Sequence, residues 1–194
     1  MSLVKSRPLK TIDNYLSLPP DVRAELIDGE LYMTPTPTSR HQKIVSNVNL
    51  VLHNYVHPRK LGEVLFSPLD IHLRGGSIVQ PDVIYVAQER ISIIQDRVQG
   101  APDLCVEVVS QTGAERDRIV KRRLYADNGV QEYWIVDDAS RSVEVFTLAG
   151  QEYVPFGYFL ATEENDDQVT SSVLPDFACS CAAFFKAIGE VSES

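Results

Sequence analysis

Residues 104–137 read LCVEVVSQTGAERDRIVKRRLYADNGVQEYWIVD, and this stretch decides the fold class. Leu104–Val109 is a short run that is apolar on both faces except at Glu107, the pattern of a strand buried inside a sheet. Ala114–Asn128 follows as a charged amphipathic helix, with Gly129 placed to end it. Glu132–Asp137 is a second buried strand centred on Trp134, Ile135 and Val136. Strand, helix and strand in this order predict a right-handed parallel crossover.

Upstream, Val64–Leu73 and Ile78–Val86 read as two more apolar strands, with Gly75-Gly76 supplying the turn between them. Before them, Ser39 is the expected N-cap of a long helix running to about Tyr55 and stopped by Pro58. His41, Ile44, Val45, Val48, Leu52 and Tyr55 share its inward face. Arg23–Met33 reads as a hairpin, since Asp28-Gly29 suits a type I′ turn whose two central residues need positive φ. A short helix opened by Thr11 or Asp13 precedes it and closes before Pro19-Pro20. Downstream, Ser142–Leu148 and Glu152–Leu160 form a strand pair joined at Gly150, Glu163–Asp167 an acidic loop, and Cys181–Ile188 a short closing helix. The expected fold is mixed α/β (α+β): a central mixed sheet flanked by helices, with an extra N-terminal hairpin and added C-terminal strands. Residues 1–194 make one domain with a core over 39–138, and residues 1–10 are a flexible tail.

The 194 residues carry 18 basic and 27 acidic side chains, a formal charge of −9. That balance argues against non-specific coating of nucleic acid, which needs clustered Lys and Arg, while leaving room for a local basic groove. Three cysteines are too few for a disulfide framework, and Cys179-x-Cys181 has no matching ligand pair for zinc. Cys105 reads as a small core residue. With no long apolar run and no apolar signal core near the N-terminus, the expectation is a soluble cytoplasmic protein without a membrane segment.

The chemistry is signalled by two carboxylates placed where a core should be. Asp82 alternates with Ile78, Ile84 and Val86, and Glu107 stands inside the most apolar strand. Desolvating an ionised carboxylate costs several kcal/mol unless a cation, donor or metal compensates it. A Mg²⁺ ion, with Mn²⁺ as a substitute, would satisfy two such acids together with waters and a substrate phosphate. Structural roles stand beside this: Asp82 bonded to loop amides, and Glu107 paired with Lys121 or Arg123. Lys121 borders the inward face of its helix, where it either pairs with Asp117 or sets an ammonium beside the acids. Arg116, Arg118, Arg122 and Arg123 make that helix the one basic cluster in an acidic chain.

These residues resemble the PD-(D/E)XK nuclease superfamily, whose core is a helix, three strands, a helix and a strand. Pro81-Asp82 matches the leading dipeptide and Glu107-Val-Val109 the second half-motif, with Val109 where the superfamily usually carries lysine. The more specific resemblance is to the Uma-type family of "putative restriction endonucleases". It is carried by Glu25–Leu31, Ser39-Arg-His41, Pro81-Asp82, Glu107-Val-Val-Ser110 and Gly129–Asp137, in order, over nearly the whole chain. The resemblance implies a restriction-endonuclease-like core in which Asp82, Glu107 and the main-chain carbonyl of Val108 hold the metal. Lys121, on the following helix, takes the role of the missing strand lysine.

Two further residues are candidates: Glu25 as an additional acid near the metal or the partner of an arginine, and His41 as a contact from the long helix or a core hydrogen bond. Tyr133 and Trp134 read as sheet packing rather than base-stacking platforms. The expected function is Mg²⁺-dependent endonucleolytic hydrolysis of nucleic acid, DNA first. The alternative is a nuclease-like scaffold, weak or inactive in catalysis, that binds nucleic acid or a protein partner. Apolar residues in the C-terminal strands suggest a homodimer.

Overall fold

The computed structural model describes residues 8–109 and 116–186. Residues 1–7 of the expected tail, the first residues of the helix placed at Ala114 and the end of the one placed at Cys181–Ile188 lie outside them. Helix α1, Ile12–Leu16, opens on a capping box: Thr11 accepts from the Asn14 amide and Asn14 reaches back to the Thr11 N–H. Strands β1, Ala24–Ile27, and β2, Glu30–Met33, form the expected hairpin, with Asp28 (φ 49°) and Gly29 (φ 79°) both left-handed at its turn.

Helix α2, Ser39–Arg59, differs from its reading at both ends. Thr38, rather than Ser39, is the cap, its hydroxyl accepting from the His41 amide. The helix also runs through Pro58 and stops where Lys60 turns left-handed (φ 55°). Near a C-terminus proline only loosens the last turn. Ile44, Val45, Val48, Leu52 and Val56 form the buried stripe, so Val56 takes the place given to Tyr55.

The two strands expected over Val64–Leu73 and Ile78–Val86 are each broken in the middle. The first becomes β3, Gly62–Phe66, and β4, Ile71–His72; the second becomes β5, Ile78–Val79, and β6, Val83–Ala87. Pro68 and Pro81 lie at the breaks and cannot donate to a ladder. After them come β7, Val98–Gln99, β8, Leu104–Val109, a π-helical turn Arg116–Lys121, α3, Arg122–Asn128, and β9, Glu132–Asp137. β10, Ser142–Ala149, β11, Glu152–Leu160, β12, Gln168–Thr170, β13, Ala178–Ser180, and a 3₁₀ turn Cys181–Phe185 complete the described chain.

The strand halves part company. β3 and β6 join a six-stranded sheet of order β11-β10-β9-β8-β6-β3, whereas β4 and β5 join a five-stranded sheet of order β2-β1-β5-β4-β7. The large sheet is antiparallel except at β8–β9, the parallel pair expected from the strand–helix–strand stretch. Leu104, Val106 and Val108 of β8 pack on the α2 side, and Cys105 and Val109 on the α3 side. Strand alternation therefore sends Glu107 toward α3.

Tyr133 and Trp134 have no exposed surface, which fits packing rather than base stacking. Trp134 lies against Phe177 and Phe184, and its indole N–H donates to Glu132 at 2.8 Å. The buried Glu132 carboxylate also accepts from Ser171 and Ser172, fastening the C-terminal segment to the sheet. β11 is one of the two edge strands of the large sheet; it contains Pro155, shows a register shift opposite Val145/Phe146, and exposes Val154, Phe156 and Tyr158. No helix of the described residues is long and apolar enough to cross a membrane.

Candidate active site

Where the chain passes from one sheet to the other, a cavity of about 580 Å³ opens. Its walls take Glu25 from β1, His41 from α2, Gln80 and Asp82 from the link between β5 and β6, and Glu107 and Val108 from β8. Arg116, Asp117 and Lys121 come from the π turn, and Met33–Thr38 closes another side. The sequence pattern predicts an ordinary α-helix at residues 116–121; the wider turn brings Arg116 as well as Asp117 onto the side of Lys121.

Asp82 owes its place to a mismatch in strand length. The β6–β8 pairing ends at Val83 opposite Val106, while β8 continues to Val109. The Val108 N–H thus has no β6 partner, and Asp82 Oδ2 accepts it at 2.8 Å. His41 Nε2 stands 3.3 Å from the same oxygen. The Asp82 backbone is itself held, its N–H donating to Val106 and its carbonyl accepting from Ser67. Asp82 is therefore a half-buried residue at the end of a ladder, not a core position of one long strand. The break at Pro81 makes the difference.

The second cluster is more deeply buried. Lys121 Nζ lies 2.8 Å from Glu107 Oε1, 2.9 Å from Glu25 Oε1 and 3.7 Å from Asp117 Oδ1, with only 3% of its side chain exposed. Lys121 is thus neither solvated nor in contact with Asp82: it is buried among Glu107, Glu25 and Asp117. Tyr125, one turn along, donates its hydroxyl to Glu107 Oε1 at 2.7 Å, and the Gln80 N–H donates to Glu25 Oε1 at 2.8 Å. Arg116 approaches Glu25 Oε2 at 3.8 Å.

Burial alone would draw the Lys121 pKa down, but Glu107, Glu25 and Asp117 outweigh it and push it up, so the ammonium stays charged. Burial raises Glu107 well above the usual carboxylate range; Lys121 opposes this, and Asp117, Asp82 and Glu25 reinforce it. Asp117 is raised by burial as well, against the pull of Lys121 and Arg116. His41 loses some basicity to burial and regains more from Asp82 and from the Val108 carbonyl it faces, for a net rise.

Asp82, Glu107, Lys121, Glu25, His41 and Val108 thus line one cavity, in two subclusters: Asp82 with His41, and Glu107 with Glu25 around Lys121. Sequence reasoning missed Tyr125, Asp117, Gln80 and Arg23 as parts of the site. Helical spacing from Lys121 marks Tyr125 and Asp117, and alternation along the hairpin puts Arg23 on the side of Glu25. Of the four arginines in the basic cluster only Arg116 faces the cavity. Arg118 pairs with Asp137 and Glu144, Arg122 lies over Phe146, and Arg123 pairs with Asp127 at the surface.

The family model for Uma2, described as "putative restriction endonuclease", matches residues 12–182. The chain belongs to the Uma2 family. Its fold is similar to the crystal structure of a "putative nuclease belonging to DUF820" from Anabaena variabilis ATCC 29413. That similarity has a TM-score of 0.74 and 22% identity, covering 90% of this chain and 97% of the other. A comparison with curated proteins gives no match.

The donor set of this Uma2 chain suits a hard divalent cation. Asp82 Oδ1 and Glu107 Oε2 accept no hydrogen bond among the described residues, their partner oxygens being the ones engaged by Val108, Lys121 and Tyr125. Val108 lines the same cavity, its carbonyl facing His41. Glu25 Oε2 and Asp117 Oδ1 are buried without a hydrogen-bond partner and meet only longer charge contacts, with Arg116 at 3.8 Å and Lys121 at 3.7 Å respectively. Among the described residues no three His, Cys, Asp or Glu side chains form a ready cage. Two carboxylates, a carbonyl and waters are the set that Mg²⁺ takes, rather than one for zinc.

Proposed function

We propose that this Uma2 chain is a Mg²⁺-dependent endonuclease, with Mn²⁺ able to substitute, that hydrolyses phosphodiester bonds of nucleic acid, DNA in the first place. One observation supports the reading: Asp82, from the link between β5 and β6, and Glu107, from β8, line one cavity, with a charged Lys121 against Glu107. A divalent cation held by Asp82, Glu107 and the Val108 carbonyl supplies Lewis acidity toward the phosphate. Lys121, fixed between Glu107 and Glu25, sets a positive charge where a phosphoryl group gains negative charge in the transition state. Since it stays protonated it is not the base for water. His41 steadies Asp82 through its Oδ2, and Glu25 keeps Lys121 aimed into the cavity.

Incubating the pure protein with circular and linear DNA and with RNA, in Mg²⁺, Mn²⁺ or EDTA, tests this. Cleavage is expected with either ion and is abolished by the chelator. No cleavage of any substrate would overturn the reading; if binding persisted, the non-cutting scaffold would take its place.

The reading includes a homodimer formed along the β11 edge, where Val154, Phe156 and Tyr158 are exposed. Light scattering at micromolar concentration is expected to give twice the 21.7 kDa chain mass, and Phe156→Glu to return the monomer. A wild-type monomer removes this part of the reading and leaves the nuclease part standing.

A further inference from the structure

Arg23 is an anomaly. It stands in the cavity wall of a chain with a net charge of −9, yet no carboxylate lies within ion-pair distance of it among the described residues. Its Nε is buried and has no hydrogen-bond partner. Glu25, the acid nearest in sequence, is instead engaged by Lys121 and by the Gln80 N–H. Arg116, in the same cavity wall, also has a buried Nε without a hydrogen bond, but it faces Asp117 at 3.9 Å. Arg23 lies close enough to His41 for its charge to oppose protonation of the imidazole. A buried guanidinium N–H without an acceptor is costly until a ligand supplies one, and the planar fork fits two oxygens of a phosphate.

We propose that Arg23 is a substrate-binding residue that seats a phosphate of the bound strand next to the one being hydrolysed. This deepens the nuclease reading and rests on it for the identity of the ligand. The neutral rim of Thr34, Thr38 and Gln42 offers no competing charge, so the strand is held at the site by few contacts. Arg116, drawn toward Glu25 and Asp117, is a weaker second donor to the same strand.

The test is fluorescence anisotropy with a labelled 20-nucleotide DNA in EDTA, across a range of salt, for wild type, Arg23→Gln, Arg23→Lys and Arg59→Gln. Arg59, at the far end of α2, lies about 27 Å along the helix from His41 and controls for lost charge alone. Arg23→Gln is expected to weaken binding about tenfold and to lower the slope of log K against log salt by about 1, the signature of one lost phosphate contact. Arg23→Lys should keep most of the slope and lose affinity severalfold, because charge survives and the fork does not. Arg59→Gln should match wild type. Thermal melts of each variant separate binding effects from misfolding, and the Lys variant keeps the test alive if the Gln variant folds poorly.

Equal affinity and slope for wild type and Arg23→Gln, or no binding by the wild type, overturns the proposal. A parallel cleavage assay in Mg²⁺ distinguishes the two failures. Cleavage that is indifferent to Arg23 sinks the phosphate seat alone. Binding that depends on Arg23 without any cleavage sinks the nuclease reading and leaves the seat.

Discussion

Asp82→Asn and Glu107→Gln should each lower the rate of DNA cleavage by roughly a thousandfold or more while leaving the fold intact. Both replacements keep size and a carbonyl oxygen. The amide at position 82 can still accept from the Val108 N–H, and the one at 107 from Lys121 and Tyr125. What each removes is a negative charge at the place where a cation must be held. Glu107→Gln should shift the melting temperature little, because it removes a costly buried charge and its repulsion from Asp117, Asp82 and Glu25 but also the attraction to Lys121. Acids that act as one unit are not additive, so the double variant should be no slower than the worse single one. The check is cleavage rate beside urea unfolding for all three. Retained activity in either single variant, or losses that multiply, would mean that the two acids do not share a function.

Lys121→Ala carries the largest expected cost in stability. It leaves Glu107, Glu25 and Asp117 facing one another without the ammonium that three of their oxygens share. Breaking a buried pair from one side costs about 3–5 kcal/mol. Cleavage should vanish with it. The loss should depend on pH in a definite sense. A carboxyl whose folded-state pKa is raised above its unfolded value favours folding below the ordinary carboxylate range and opposes it as pH rises through the folded value. Glu107 and Asp117 are already raised in the wild type by burial, against the pull of Lys121; without that pull they rise further. The deficit relative to wild type should therefore be largest near about pH 8 and shrink toward about pH 4.5. Urea titrations at several pH values read it directly. A pH-independent deficit would point to lost packing of the lysine stem rather than to stranded charge.

The strand–helix–strand stretch was legible because its signals are local and agree: a two-sided apolar run, a capping glycine and a second apolar run. The same holds for the Asp28-Gly29 hairpin, whose turn chemistry needs no tertiary help. The division of Val64–Leu73 and Ile78–Val86 between two sheets was hidden. Hydrophobic alternation continues across Ser67-Pro68 and Gln80-Pro81, and only the missing amide of each proline reveals the break. The break matters at the site: alternation alone puts Asp82 in the core, whereas it caps an overhanging strand, close to the amide-bonded role weighed beside the metal-binding one. Glu107 and Lys121 were visible as a charge inside an apolar run and a cation on an inward helix face. Tyr125 was not, because a tyrosine on a buried helix face looks like packing until its hydroxyl is seen on a carboxylate.

The edge strand β11 has a further bearing on how the protein behaves when concentrated. Its apolar residues lie beside a margin of the sheet where foreign strands would otherwise attach in succession. Pro155 withholds one amide along that strand, and the irregular register against β10 twists the margin out of line. That margin therefore offers no continuous ladder along which strands could add one after another.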